Sequence, residues 1–506
     1  MTRLPVADRS EDRGVQTAVA PARRAGGVFP WRPSNARAQP VAWLVLLALQ
    51  AGSPEPSTAP PEPELVAARG GRGGGGGGKT TDIKVSALDP DTVPADTALT
   101  IRVLGSGFTP GSQVSWALAG SPTTKVATTG PVSFVSSSEL RAPVTVQEDA
   151  PLASYDVVVT AVGGKKGIGV EMLEVVAKLH LLPEPDWAVS SSASDVNDER
   201  VIVGSASDAA DNIYALRWTP LDDSWTVEVL GVGSAAAIND DGYIVRRYYD
   251  TSARVWYCSV ITRSGAEVDF GGAYIHGISN TGTLIGWIEP NGEYVAVAWR
   301  QLTPTTWGPP IVLPAAGGNE WGTGLNGISD NDDIAGYINR NGQEEWAVVW
   351  EYAGGQWNPP VLVDTELGGT AFAVNVHGAS AGASWPCWDP NGGCPSQPSF
   401  WAAVGAPRQL LADPFYGAAN GWVTALVHDM NNSNQIVGTA RVPLGRRKAA
   451  SHAVLWPSPA SEEPVDLGAV VATWSSEAVA ISDAGLVVGV SRMPNRNRHA
   501  VAWRLP

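Results

Sequence analysis

The chain has 506 residues, too many for one ordinary core, and its 56 Gly and 39 Pro with only 17% charged residues favour short strands and tight turns over long helices. A net charge of −16 argues against docking on nucleic-acid phosphates or on anionic lipid. Tryptophan is over-used, 21 against 7 Phe and 11 Tyr, so a repeated demand for indole rings is expected.

Residues 1–52 read as a leader region. An Arg-rich stretch precedes the apolar run Pro40–Leu49, which has the length of a signal-peptide core and is too short to span a bilayer. Cleavage is expected after Ala51, and no Cys follows the run to carry a lipid anchor. The protein is therefore expected to be secreted or held at the cell surface, with no membrane span in the mature chain. Residues 53–81 form a linker, Pro-rich and then poly-Gly. Gly73–Thr80 formally fits a phosphate-binding loop, but neither the strand before it nor the helix after it is present.

Residues 82–177 alternate apolar and polar side chains in short runs, clearest at Leu99–Leu104 and Tyr155–Val162, which predicts an antiparallel sandwich. Leu99-Thr-Ile, Gly105-Ser-Gly-Phe108, Pro110-Gly111, Ala150-Pro-Leu and Tyr155-Asp-Val follow one another in an order that resembles the IPT/TIG family of Ig-like domains. The resemblance implies a spacer or adhesion module, and no titratable cluster in it suggests chemistry.

Residues 178–506 repeat with a period of roughly 47, the size of a four-stranded propeller blade. Each unit runs apolar-Asn/Ser, a polar turn, an apolar pair ending in Gly, then Ala-x-x-Trp and a last apolar segment. The Gly falls at Gly204, Gly286, Gly336, Gly382, Gly438 and Gly489, with Arg246 in its place in the second copy. The Trp falls at Trp218, Trp299, Trp350, Trp401, Trp456 and Trp503. The seventh copy stops without its last strand, and Lys178–Pro183 before the first copy looks like the missing piece. The fold class expected is all-β, an Ig-like β-sandwich followed by a seven-bladed β-propeller, with an open β-solenoid as the rival. The repeats resemble the extracellular HAF-type repeat family, which implies an exported repeat protein and no known reaction.

Repetition turns most conspicuous residues into scaffold. The recurring Trp and the His452/His499 and His276/His428 pairs are read as structural, and no metal site or cofactor is expected. The Asn/Asp/Gly turns are hairpin chemistry before they are calcium ligands. Gly378–Gly382 fits a nucleophile elbow, but occupies a strand position of the repeat. Cys387 and Cys394 lie in a Pro/Gly-rich loop whose spacing allows a disulfide, as it allows two free thiols.

A second Trp set, Trp187, Trp321, Trp422 and Trp474, precedes the turn in only four of seven copies. A pure core demand would recur in all seven. These residues, with Trp385 and Trp388 of the inserted loop, are the ligand-binding candidates, weighed against simple rim packing. No catalytic residue is assigned. The function expected is a non-enzymatic binding or structural protein, monomeric, whose propeller rim meets glycan or an extracellular protein. The alternative is a polysaccharide lyase or hydrolase using the central channel, which would need acids that break the repeat and converge on the axis.

Overall fold

The computed structural model describes residues 82–505 except 119–124, 251, 253, 254, 291, 292, 316–319, 341–343, 386–395, 414–424, 444–448, 472 and 496. The leader and linker therefore lie outside the described residues, as do Cys387, Cys394, Trp388 and Trp422. The described chain is all-β, and none of it forms a helix long and apolar enough to cross a membrane.

Residues 84–176 form two sheets around one core. Lys84–Asp89, Thr97–Ser106, Glu139–Val146, Val126–Thr128 and Ser133–Ser136 make the first; Thr92–Pro94, Lys166–Val176, Ser154–Thr160 and Gln113–Ala117 make the second. Period-two alternation sends Ile101, Val103, Leu140 and Val144 from one sheet, and Tyr155, Val157 and Val159 from the other, into a shared interior. The Gly105–Phe108 turn is tight enough that a Cβ on Gly105 would sit 2.0 Å from the Lys84 carbonyl oxygen and 2.7 Å from the Phe108 ring.

Residues 178–504 form seven four-stranded antiparallel sheets, one per repeat. The first comprises Ser190–Val196, Ile202–Ser207, Ile213–Leu221 and Ser224–Val232 in that order. The seventh takes three strands from the end of the region, Ser476–Ile481, Leu486–Arg492 and Arg498–Arg504. Its outer strand is Lys178–Leu181, paired from Lys178↔Arg504 to Leu181↔Val501. Seven apolar clusters each lie between consecutive sheets. One joins Ile202, Leu216 and Trp218 of the first sheet to Leu486, Val488 and Ala502 of the seventh.

Each conserved feature of the repeat has a local cause. The first strand of every sheet carries a bulge that skips one residue, between Ala193 and Asp195 in the first and between Ile275 and Gly277 in the third. Opposite the bulge the second strand comes so close that a Cβ on Gly286 would meet the Tyr274 carbonyl oxygen at 2.1 Å, and the equivalent glycines show the same approach. The Asn or Ser that opens each turn accepts a hydrogen bond from the backbone N–H four residues on, as Asn197 does from Val201 and Ser482 from Leu486. The fourth turn residue is left-handed in all seven copies, from Arg200 (φ 63°) to Gly485 (φ 79°). The repeated Trp are buried, and Trp218, Trp350 and Trp456 donate to the carbonyls of Pro183, Pro314 and Ala412 behind the preceding sheet's outer strand.

Candidate functional site

The seven sheets have two chemically different ends. At one end are the Asn/Ser turns, cross-linked in series. The Asp198 N–H donates to Asp240, Asp240 to Asn280, Asn280 to Asp330, Val376 to Asn432, Asn432 to Asp483, and the Ala484 N–H donates back to Asp198. The turn side chains are thus spent on one another, which accounts for the Asn/Asp composition without a ligand. Among the described residues no group of three or more His, Cys, Asp or Glu is arranged to hold a metal ion.

At the opposite end the first strands begin and the second strands finish. Here the chemistry stops repeating. In the second sheet Tyr249 pairs with Trp256 and Tyr248 with Tyr257, and alternation sends the two pairs to opposite faces. Tyr248 stacks on Tyr257 at 5.1 Å. On the other face the rings continue into the third sheet: Tyr249 to Trp256 at 5.2 Å, Trp256 to Tyr274 at 5.1 Å edge-on, and Tyr274 to Trp287 at 5.3 Å stacked. Tyr249 is 44% exposed and Trp256 half-buried, whereas Tyr274 is buried. Burial raises the Tyr274 phenol above its ordinary range, so the ring stays neutral. In the first sheet Trp187 is 39% exposed and packs 4.8 Å from Tyr214. Aromatic rings thus gather at the same end of the first three sheets, Trp187 and Tyr214 on the face of the first sheet that meets the seventh and the Tyr249–Trp287 run between the second and third.

The sequence-predicted Trp set is only partly gathered here. Trp187 is among these rings. Trp474 lies at the same end of the seventh sheet and is half-buried, its backbone N–H bonded to the Val471 carbonyl. Trp385 ends the second strand of the fifth sheet, also half-buried, opposite Gly368. Trp321 stands on the strand Glu320–Ile328, with its side chain outside the described residues. Trp422, Trp388, Cys387 and Cys394 fall outside them altogether, and Cys258 is a buried free thiol. Burial raises that thiol to about 11, which leaves it unreactive as a nucleophile.

Sequence reasoning missed the run of rings from Tyr249 through Trp256 and Tyr274 to Trp287 and passed over a pair of acids. The run was signalled by the second repeat's departure, Arg246-Arg-Tyr-Tyr249 where a Gly is expected. The acids, Asp195 and Asp429, follow the bulge in the first and sixth copies, where the other five carry Gly or Ala. Each accepts its neighbour's N–H and one from the next sheet: Asp195 from Val196 and Ile238, Asp429 from Met430 and Ile481, all within 3.0 Å. Burial raises Asp195 to about 7 and Asp429 to about 6 against those bonds, and the Asp429 charge adds to the rise at Asp195.

A cavity of about 230 Å³ at the junction with residues 84–176 is lined by Glu148, Arg200, Gly485 and Arg504. Arg504 is already compensated there by Glu148 at 3.3 Å and Asp223 at 3.5 Å.

No family model matches the chain, and no curated protein matches it. Among solved structures it is similar to a Bacteroides thetaiotaomicron protein of unknown function (9% identity, TM-score 0.32, covering 84% of this chain and 98% of that one). It is also similar to the acylaminoacyl peptidase of Pyrococcus horikoshii (9%, 0.42, 63% and 52%). A third similarity is to a NanB sialidase variant of Streptococcus pneumoniae (8%, 0.25, 85% and 70%). These likenesses are loose and say nothing of function.

Proposed function

We propose that the protein is an exported, non-enzymatic glycan-binding protein, an Ig-like spacer carrying a closed seven-bladed β-propeller of HAF-type repeats. The domain limits are those of the sequence: leader to 52, linker 53–81, spacer 82–177 and propeller 178–506. Three observations support closure. Lys178–Leu181 completes the last sheet, an apolar cluster lies between the first and seventh sheets, and Ala484 is bonded to Asp198. Closure removes the open sheet edges that a solenoid would have to cap.

The aromatic rings at this end of the first three repeats carry the binding reading. Tyr and Trp rings present flat apolar area beside polar edges, the combination a sugar ring stacks on, and a core needs no rings left exposed at 39% and 44%. The partial occupancy of the Trp set across the repeats supports the same view. An enzyme using the channel is favoured by one observation, the acids Asp195 and Asp429 that break the repeat. Their carboxylates are each tied to two backbone N–H groups, however, which makes them cross-links between sheets before they are a general acid and base.

The test is a glycan array probed with the full chain and with a Trp187→Ala/Tyr249→Ala/Trp256→Ala variant. Binding by the first that the second loses while remaining folded is the expected result. Equal binding by both would remove these rings from the reading, and cleavage of any glycan would return the weight to the enzyme.

A further inference from the structure

We infer that the glycan unit read by this face carries a carboxylate, as a uronic acid does, and that Arg247 recognises it; the inference rests on the glycan-binding reading above. The layer between the second and third sheets starts apolar, at Val245, Val260 and Cys258, and alternation then brings Arg247, Trp256 and Tyr249 to its far end. The Arg247 guanidinium lies 4.7 Å from the Tyr274 ring centroid, a cation–π arrangement that holds it flat. It is partly exposed and has no ion-pair partner among the described residues. Arg200 and Arg492 of these repeats likewise have none among the described residues. Arg217, Arg246, Arg300, Arg408, Arg498 and Arg504 of the same repeats all end on carboxylates.

Three buried polar atoms beside it lack partners: Nη1 of Arg247 itself, Nε1 of Trp287 and Nδ1 of His276. Trp287 stacks on Tyr274, and its ring centre is 6.0 Å from His276. They are three of sixteen such atoms among the described residues, and what sets them apart is that one run of contacts joins them, Arg247 on Tyr274, Tyr274 on Trp287 and Trp287 beside His276, so that one polar ligand group can serve them together. Their chemistry is mixed. The guanidinium and the indole N–H can only donate, which suits a carboxylate. Burial and the neighbouring Arg247 hold His276 down at about 4, so it is neutral at physiological pH. The Asn326 backbone engages one of its ring nitrogens and leaves Nδ1, which on a neutral imidazole can bond a sugar hydroxyl. The rings of Tyr249 and Trp256 offer the apolar face. The protein's overall negative charge does not forbid an anionic ligand, because repulsion from distant carboxylates is screened beyond about 8 Å at physiological salt.

The probe is an oligogalacturonate and the same oligosaccharide as its methyl ester, which removes the charge and keeps the ring. Calorimetric titration of the full chain should show the acid bound about tenfold more tightly than the ester. Arg247→Gln, checked for an unchanged melting temperature, should bring the acid down to the ester and leave the ester where it was. Trp256→Ala should weaken both alike. If the wild type prefers neither form, or Arg247→Gln keeps the preference, the carboxylate assignment is overturned while glycan binding stands. If neither form binds and the array is also blank, the glycan reading itself fails.

Discussion

At the residue scale the repeat signature reduces to sterics and hydrogen bonds. The recurrent Gly is there because the second strand passes under a bulge. Gly286→Ala would place a methyl 2.1 Å from the Tyr274 carbonyl oxygen and should cost about 1–3 kcal/mol by overpacking. Gly277→Ala is the control: its nearest neighbour would be a side chain at 3.5 Å, three other repeats carry Ala there, and urea unfolding should find it near neutral. Trp218→Ala removes a fully buried ring and leaves the Pro183 carbonyl without its donor, an expected loss of about 3–5 kcal/mol in the same measurement.

The buried acids predict a pH dependence whose sign is fixed. Asp195 and Asp429 bind protons more tightly folded than unfolded, since folding raises them to about 7 and about 6 from 3.8. Their contribution to stability is fully present below the unfolded value and is lost as pH rises through 6 and 7. Melting temperature should therefore fall between pH 5 and pH 8 more steeply in the wild type than in Asp195→Ala/Asp429→Ala, which adopts the residue that three other copies carry. Parallel profiles would mean that the two carboxyls titrate normally.

At the element scale most of the architecture was legible, because a period repeated seven times averages out local ambiguity. The Asn/Ser, the Gly and the Trp each mark a fixed place: turn, close strand approach, third strand. The bulge was not legible, since its skipped residue varies freely from Ser194 to His276 to Val479 and leaves no pattern. The last sheet depends on a strand from the front of the region. Leu179→Pro/Leu181→Pro would strip donors from Lys178–Leu181 and is expected to free the edge of Arg498–Arg504. Light scattering should then report a larger mass for the variant than for the wild type at the same concentration.

At the scale of the whole molecule, the two ends of the sheets divide the work. One end locks turn to turn; the other differs between repeats, and among the described residues its linked aromatic rings lie in the first three. The candidate site was legible only in part. Trp187 stood out because it recurs in some copies and not others, but Tyr249, Trp256, Tyr274 and Trp287 come from different strands, and only folding brings them into one run of rings. Arg247 was hidden for the same reason, next to a repeat position it does not itself occupy.

The most direct test of the binding face is hydrogen exchange on the full chain with and without a glycan that it binds. The account predicts added protection at residues 244–250, 255–261 and 274–288, and none at the Asn/Ser turns. Protection confined to those turns, or to residues 84–176, would contradict it.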